Sequence, residues 1–216
     1  MRIAPEGWPF IRVALALDAA LLLVWYAFPG WPPVALLALA IVLSVWVVAF
    51  FRDPERQGPR GEGLVIAPAD GRVCSIAQVD EPMYLHQQAT RISIFMSVFN
   101  VHVNRFPVAG EVEVVHYNPG QFTVASHDKA SLVNEQASVG IATPRGAVLV
   151  RQIAGSIARR IVTDVGPGDT AVQGERFGMI RFGSRVDVFL DPAAAVKVQM
   201  NQLVRAGETV VAELPA

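Results

Sequence analysis

The chain has 216 residues and a formal net charge of −1, enough for one domain plus an appendage and with no strong electrostatic pull toward nucleic acid. Its one cysteine, Cys74, excludes an internal disulfide and suits a reducing compartment. Hydrophobic residues make up 52% of the chain, and their crowding at the N-terminus divides it into an apolar part and a mixed part.

Residues 11–28 (IRVALALDAALLLVWYAF) and 34–51 (VALLALAIVLSVWVVAFF) are two apolar runs of about bilayer-crossing length. Between them lies PGWPP, an uncharged turn. Trp25, Tyr26 and Trp31 sit near it, where amphipathic rings favour an interface. Arg2 and Arg12 stand before and at the start of the first run, and Arg52, Arg56 and Arg60 follow the second, so both ends are expected on the cytoplasmic side. No small-residue cleavage site marks a signal peptide. The pattern predicts a membrane-anchoring helical hairpin over residues 1–51. Asp18 interrupts the first run at a cost of about 2.5–3.5 kcal/mol for a charge at mid-bilayer. It is neutral, reaches toward Arg12, or marks a hairpin that dips in without crossing.

Residues 52–63 (RDPERQGPRGEG) are charged and turn-rich and read as a linker. From Leu64 to Ala216, short alternating segments recur: RVCSIAQV, RISIFMSVFNVHV, GEVEVVHY, AVLVRQI, FGMIRF, RVDVFL, AVKVQM and ETVVAEL. Glycine and proline punctuate them. This predicts an all-β domain, barrel-like or sandwich-like, behind the hairpin. IAGSIARRIV fits helix or strand. GPGDTAV, GERFGMI and AGETVVAEL each place a glycine turn before an apolar run, a lipoyl-type echo of glycine-turn strands toward the C-terminus.

Three stretches carry chemistry. APADG at 67–71 offers Asp70 in a turn. FMSVFNVHVNRFP at 95–107 places Asn100, His102 and Asn104 on one face if the run is a strand. RFGSRVDVFL at 181–190 reads as a half-buried strand, with Arg185 and Asp187 outward, Val186 and Val188 inward, and Gly183-Ser184 at its entrance. A serine, a histidine and an aspartate invite a hydrolase, but no G-x-S-x-G elbow is present and Ser184 opens a strand in a β region. Another use of Ser184 fits better. Its hydroxyl can attack the carbonyl of Gly183, whose missing side chain leaves the approach open. The peptide becomes an ester. Loss of the α-proton then releases the Gly183 carboxylate and leaves dehydroalanine, which hydrolyses to a pyruvoyl group. His102, oriented by Asp70, is the candidate base.

Together these pieces resemble phosphatidylserine decarboxylase proenzymes, specifically the short membrane-anchored type. The matching stretches are FFRDPER at 50–56, APADG at 67–71, MSVFNVHVNR at 96–105, SLVNEQ at 131–136, IAGSIARRIV at 153–162 and GERFGMIRFGSRVDVFL at 174–190. The resemblance implies cleavage between Gly183 and Ser184, a pyruvoyl cofactor made from Ser184, and no metal. It implies that Asp70 and His102 fall on the family's acid and histidine positions. Longer members carry two histidines three residues apart; here His102 holds the first position and Arg105 the second, and Asn100 stands where they carry an aspartate. Ser156 in IAGSI is a decoy for the cut site.

The implied reaction is decarboxylation of phosphatidylserine to phosphatidylethanolamine through a Schiff base on the pyruvoyl carbonyl, with His102 handling the proton. The expected partners are the lipid in a bacterial inner membrane and the two self-cleavage chains bound to each other; a homo-oligomer is left open. The expected catalytic domain is cytoplasmic. Arg91, Arg105, Asn100 and Asn134 are candidates for the substrate's headgroup, and Arg52, Arg56 and Arg60 could attract anionic lipid or merely set topology. Three alternatives stay open: a tethered serine hydrolase using Ser184, His102 and Asp70; a non-enzymatic anchored β-domain; and a pyruvoyl enzyme acting on a soluble amino acid.

Overall fold

The structure is a computed structural model that describes residues 2–120, 134–155, 160–181 and 184–216. The chain divides into two compact units, Met1–Glu55 and Arg56–Ala216.

The first unit is a helical hairpin. Helix α1 spans Trp8–Ala27 and α2 spans Trp31–Phe50. Each is 20 residues long, which corresponds to about 30 Å. Each carries proline in its first turn, where no intrahelical N–H is needed. The most apolar 18-residue window has a mean hydropathy of 1.9 within Pro5–Ala27 and 2.6 within α2. Most of their side chains are exposed, Leu23 at 68% and Leu39 at 57%, so these are not core helices of a water-soluble body but helices that suit a lipid surround. The base of the hairpin is closed by a short pair, β1 (Arg2–Ile3) with β2 (Arg52–Asp53). Phe51 is buried there, stacked on Phe10 at 5.3 Å. Gly7 leaves room for it, since a Cβ would stand 2.5 Å from that of Phe51. One carboxylate oxygen of Asp18 is buried in the hairpin with no hydrogen-bond partner among the described residues.

The second unit is built from strands, as the alternating segments predict. They are β3 (Leu64–Ile66), β4 (Gly71–Glu81), β5 (Gln87–Met96), β6 (Val103–Arg105), β7 (Gly110–Asn118), β8 (Gln136–Thr143), β9 (Gly146–Ala154), β10 (Ile161–Thr163), β11 (Thr170–Ala171), β12 (Arg176–Ile180), β13 (Ser184–Leu190), β14 (Ala195–Val196), β15 (Leu203–Val204) and β16 (Val210–Glu213). Among the described residues the main sheet has the antiparallel order β11-β7-β8-β9-β13-β5-β4-β15, with smaller sheets β10-β12-β6 and β14-β16-β3. Their inward faces share one core, including Ile92, Ile94, Val150, Val186, Val188, Phe106 and Phe177. The three glycine-turn echoes are real turns: Gly168, Gly174 and Gly207 have φ of +90°, +85° and +74° and stand before β11, β12 and β16. The described ends of IAGSIARRIV are strand, in β9 and β10.

Two local expectations need correction. The run 91–103 is not one strand. It stops at Met96, because Ser97–Asn100 forms a turn in which the Asn100 side chain accepts from the Ser97 N–H and hydroxyl, both at 2.8 Å. Asn100 and His102 therefore do not share a strand face with Asn104. And β13 is not half-buried. It lies between β5 and β9 at the centre of the sheet, and all seven of its residues are buried. Arg185 and Asp187 tolerate this by pairing with each other at 2.9 Å.

The same sheet face holds a second buried pair. Arg151 reaches Glu81 at 2.9 Å and lies 4.7 Å over the Phe189 ring. Burial pushes the Glu81 carboxyl up, but the N–H groups of Leu85 and Tyr84 and the Arg151 charge outweigh it, and the net shift is downward. A depressed folded-state value means stability that is present at neutral pH and lost as pH falls through that value. Glu81→Gln is expected to cost about 3 kcal/mol at pH 7 by stranding Arg151. It should also flatten the acid limb of stability below about pH 4.5; urea titrations across pH check both.

Candidate active site

Ser184 opens β13 and is fully buried. It stands opposite Met96 on one side and Ala154 on the other. Its hydroxyl donates to the Met96 sulfur at 3.3 Å. Gly183 and Ser156 lie outside the described residues.

His102 follows the Ser97–Asn100 turn and is also fully buried. Its Nδ1 lies 3.0 Å from the Asn100 carbonyl oxygen. A carbonyl only accepts, so Nδ1 carries a proton directed at it. The His102 carbonyl accepts from the Ile180 N–H at 3.3 Å. His102 is thereby fastened to the last residue of β12, a few residues ahead of Ser184 in the chain.

Asp70 lies at the same end of the sheet. Gly71 begins β4, which pairs with β5, which pairs with β13, so Asp70 and Ser184 are separated by two strand spacings, about 10 Å. Glycine at 71 is required, because a Cβ there would come 2.2 Å from the Phe95 carbonyl oxygen. The Asp70 carboxylate accepts from Arg56 at 2.7 Å and from the Ala206 N–H at 2.8 Å. Asp70 is thus held by Arg56 and the Ala206 N–H, and His102 Nδ1 faces the carbonyl of its own turn.

On the Ser184 side of the sheet runs a buried amide chain. Asn104 Nδ2 donates to the Met96 sulfur at 3.8 Å, Gln152 Nε2 donates to Asn104 Oδ1 at 2.7 Å, and the Thr163 hydroxyl donates to Gln152 Oε1 at 3.0 Å. Among the described residues, no cluster of three His, Cys, Asp or Glu side chains is placed to hold a metal ion.

Comparison with known proteins decides the family. Residues 43–212 match the phosphatidylserine decarboxylase family. A protein of Azorhizobium caulinodans named phosphatidylserine decarboxylase proenzyme is 50% identical over 214 residues, covering 98% of this chain and 88% of the relative. One of the same name from Nitrobacter winogradskyi is 51% identical over 216 residues, covering 98% and 84%. Another, from Symbiobacterium thermophilum, is 47% identical over 214 residues, covering 99% and 96%. The chain belongs to the phosphatidylserine decarboxylase family.

In this member of the phosphatidylserine decarboxylase family the remaining candidates fall in different places. Asn134 is buried and donates to the Ala154 carbonyl at 2.7 Å, one strand away from Ser184. Arg105 is buried and donates to the Gly174 carbonyl at 3.1 Å, on the Asp70 side. Asn100 closes its turn. Arg91 does not join them. It lies five positions before Met96 on β5, about 16 Å along the strand, and its odd register puts it on the opposite face from Ser184.

Sequence reasoning missed the role of Arg56. Its side chain is 8% exposed and bridges Asp70 at 2.7 Å and Glu208 at 3.2 Å, so it is no free lipid-facing cation. Arg60 is exposed but also tied down, donating to the Gly207 carbonyl at 2.8 Å. Glycine is needed at 58, where a Cβ would stand 2.5 Å from the Gly207 oxygen. The signal was present only as a charge in FFRDPER; its partners are distant in sequence. Arg56→Ala leaves the buried Asp70 uncompensated and is expected to destabilise the second unit by about 3–5 kcal/mol. Glu208→Ala, at a 28% exposed carboxylate, should cost about 1 kcal/mol or less. Denaturant melts of the detergent-solubilised chain compare the two.

Proposed function

We propose that this chain is a self-processing, pyruvoyl-dependent enzyme that decarboxylates phosphatidylserine to phosphatidylethanolamine. The observation that carries the reading is the placement of Ser184, a buried serine following glycine at the mouth of a central strand, with His102 fastened to the strand that leads into it. Family membership supplies the reaction class.

In the processing step, Ser184 Oγ attacks the Gly183 carbonyl carbon as His102 Nε2 takes the hydroxyl proton. The bond from that carbon to the Ser184 nitrogen breaks and an ester forms. Loss of the Ser184 α-proton breaks the Cβ–Oγ bond and releases Gly183 as a carboxylate that keeps Oγ. Water then replaces the nitrogen, which leaves as ammonia. The two chains, ending at Gly183 and beginning at residue 184, stay together because β13 pairs with β5 and β9 of the longer chain. The surroundings suit a pyruvoyl group, with the Met96 sulfur and the Ala154 methyl flanking the position.

When formed, the pyruvoyl carbonyl supplies an electrophile for the substrate amine and a sink for the electrons that carbon dioxide leaves behind. His102 holds the proton that replaces the lost carboxylate. Asn104 and Gln152 keep the wall beside residue 184 fixed, and Asn100, Arg105 and Asn134 shape the site through their turn and backbone contacts. Asp70, tied to Arg56, presents a fixed negative charge at this end of the sheet. The two apolar helices suit anchorage beside a diacyl lipid, with the flanking arginines holding the rest of the chain on the cytoplasmic side of an inner membrane.

Intact mass under denaturing conditions, with and without phenylhydrazine, tests this. Two chains are expected, the shorter spanning 184–216, lacking a free amine and gaining one hydrazone; Ser184→Ala should give one uncut chain. His102→Ala should slow the cutting itself by about 10²–10⁴-fold, read as the accumulation of uncut chain over time. An uncut, hydrazine-inert wild-type chain that reacts with a fluorophosphonate would return Ser184 to a hydrolase role.

A further inference from the structure

We infer that the wall facing Ser184 is fitted to the methyl group that processing creates and not to the hydroxyl that it consumes, and that Met96 is the residue responsible. This rests on the self-cleavage proposed above. Ser184 is fully buried, and among the described residues its hydroxyl has one hydrogen-bond partner, the Met96 sulfur at 3.3 Å. A thioether is a weak acceptor. The same sulfur also takes the Asn104 amide at 3.8 Å, so two buried donors share it. Asn104 cannot turn its oxygen toward Ser184 without breaking the 2.7 Å bond from Gln152, which is itself held by Thr163. The residue opposite on β9, Ala154, offers only a methyl.

A hydroxyl buried against a weak acceptor is raised in free energy, because it has given up water without full compensation. A methyl in the same position loses nothing and gains contact with a polarisable sulfur. Processing makes that exchange. Oγ leaves with the Gly183 carboxylate, and Cβ, once bonded to it, takes up a proton and becomes the pyruvoyl methyl. The mismatch exists before the reaction and is gone after it. It also leaves the hydroxyl only lightly tethered to the sulfur. The Asn104 donor then has the sulfur to itself.

The test is the rate of cutting, followed by intact mass during cell-free synthesis into lipid nanodiscs, with hydrazone formation as the second readout. Met96→Gln and Met96→Thr give the hydroxyl an oxygen acceptor and are expected to slow cutting about tenfold, the effect of roughly 1.4 kcal/mol on the barrier. Met96→Leu keeps the apolar wall and should rescue cutting to within a few-fold of wild type. Thermal melts identify any variant that fails to fold, and the other polar variant then stands in for it. Folded Met96→Gln or Met96→Thr chains that cut at the wild-type rate overturn the inference. So does a folded Met96→Leu chain that cuts as slowly as the polar variants, since the sulfur itself would then be required. A wild-type chain that never cuts or forms a hydrazone defeats the underlying self-cleavage instead, a result distinct from either.

Discussion

The double ladder of β13 is the constraint on which the rest of the second unit depends. Seven consecutive residues, Ser184 to Leu190, pair with β5, and six of them also pair with β9. Every backbone group of a central strand must find a partner there, since neither face nor edge meets water. That requirement fixes the register of β13, and with it the positions of Met96 and Ala154 beside Ser184. The proposed cut falls at the edge of this element and not within it, so the ladder survives the loss of the covalent link.

A second layer of order comes from charges that would be intolerable alone. Arg56 with Asp70 and Glu208, Arg151 with Glu81, and Arg185 with Asp187 are buried or partly buried, and each guanidinium lies against a carboxylate that offsets its charge. Two of these sets join residues on both sides of position 183. Arg56 and Asp70 meet Glu208 and the Ala206 N–H, and Arg151 lies over Phe189. The C-terminal segment is thus held by its strand, by a carboxylate clasp and by an aromatic face.

Much of this was legible in the sequence, for local reasons. Two largely apolar runs flanked by arginines read as a hairpin because lipid exposure needs apolar residues all round each helix. Glycines 168, 174 and 207 read as turns because the chain needs positive φ before β11, β12 and β16. Asp70, His102 and Ser184 stood out as chemically capable residues in recognisable stretches. The partners of those residues did not, because contacts such as Ser184 with Met96, Gln152 with Asn104 and Arg56 with Glu208 span 88, 48 and 152 positions. Such distances are set by strand order, on which local periodicity is silent. Arg185 and Asp187 misled for a related reason. Alternation marks polar residues as outward, but a strand at the centre of a sheet can hide both faces when its polar residues satisfy each other. The turn after Met96 was hidden because Asn100 looks like a strand residue until its side chain is seen capping Ser97.

The complete burial of Ser184 has a consequence for the kind of cut this fold can accept. Ordinary hydrolysis of the bond before it would plant an ammonium group in the protein interior at the head of β13. An unpaired buried ammonium costs several kcal/mol, enough to consume a large part of a typical domain's stability. Chemistry that discards the nitrogen avoids the problem, because the chain then begins with a neutral ketone. Under the proposed self-cleavage, the removal of ammonia would be as much a condition for keeping the sheet intact as a step toward a reactive carbonyl.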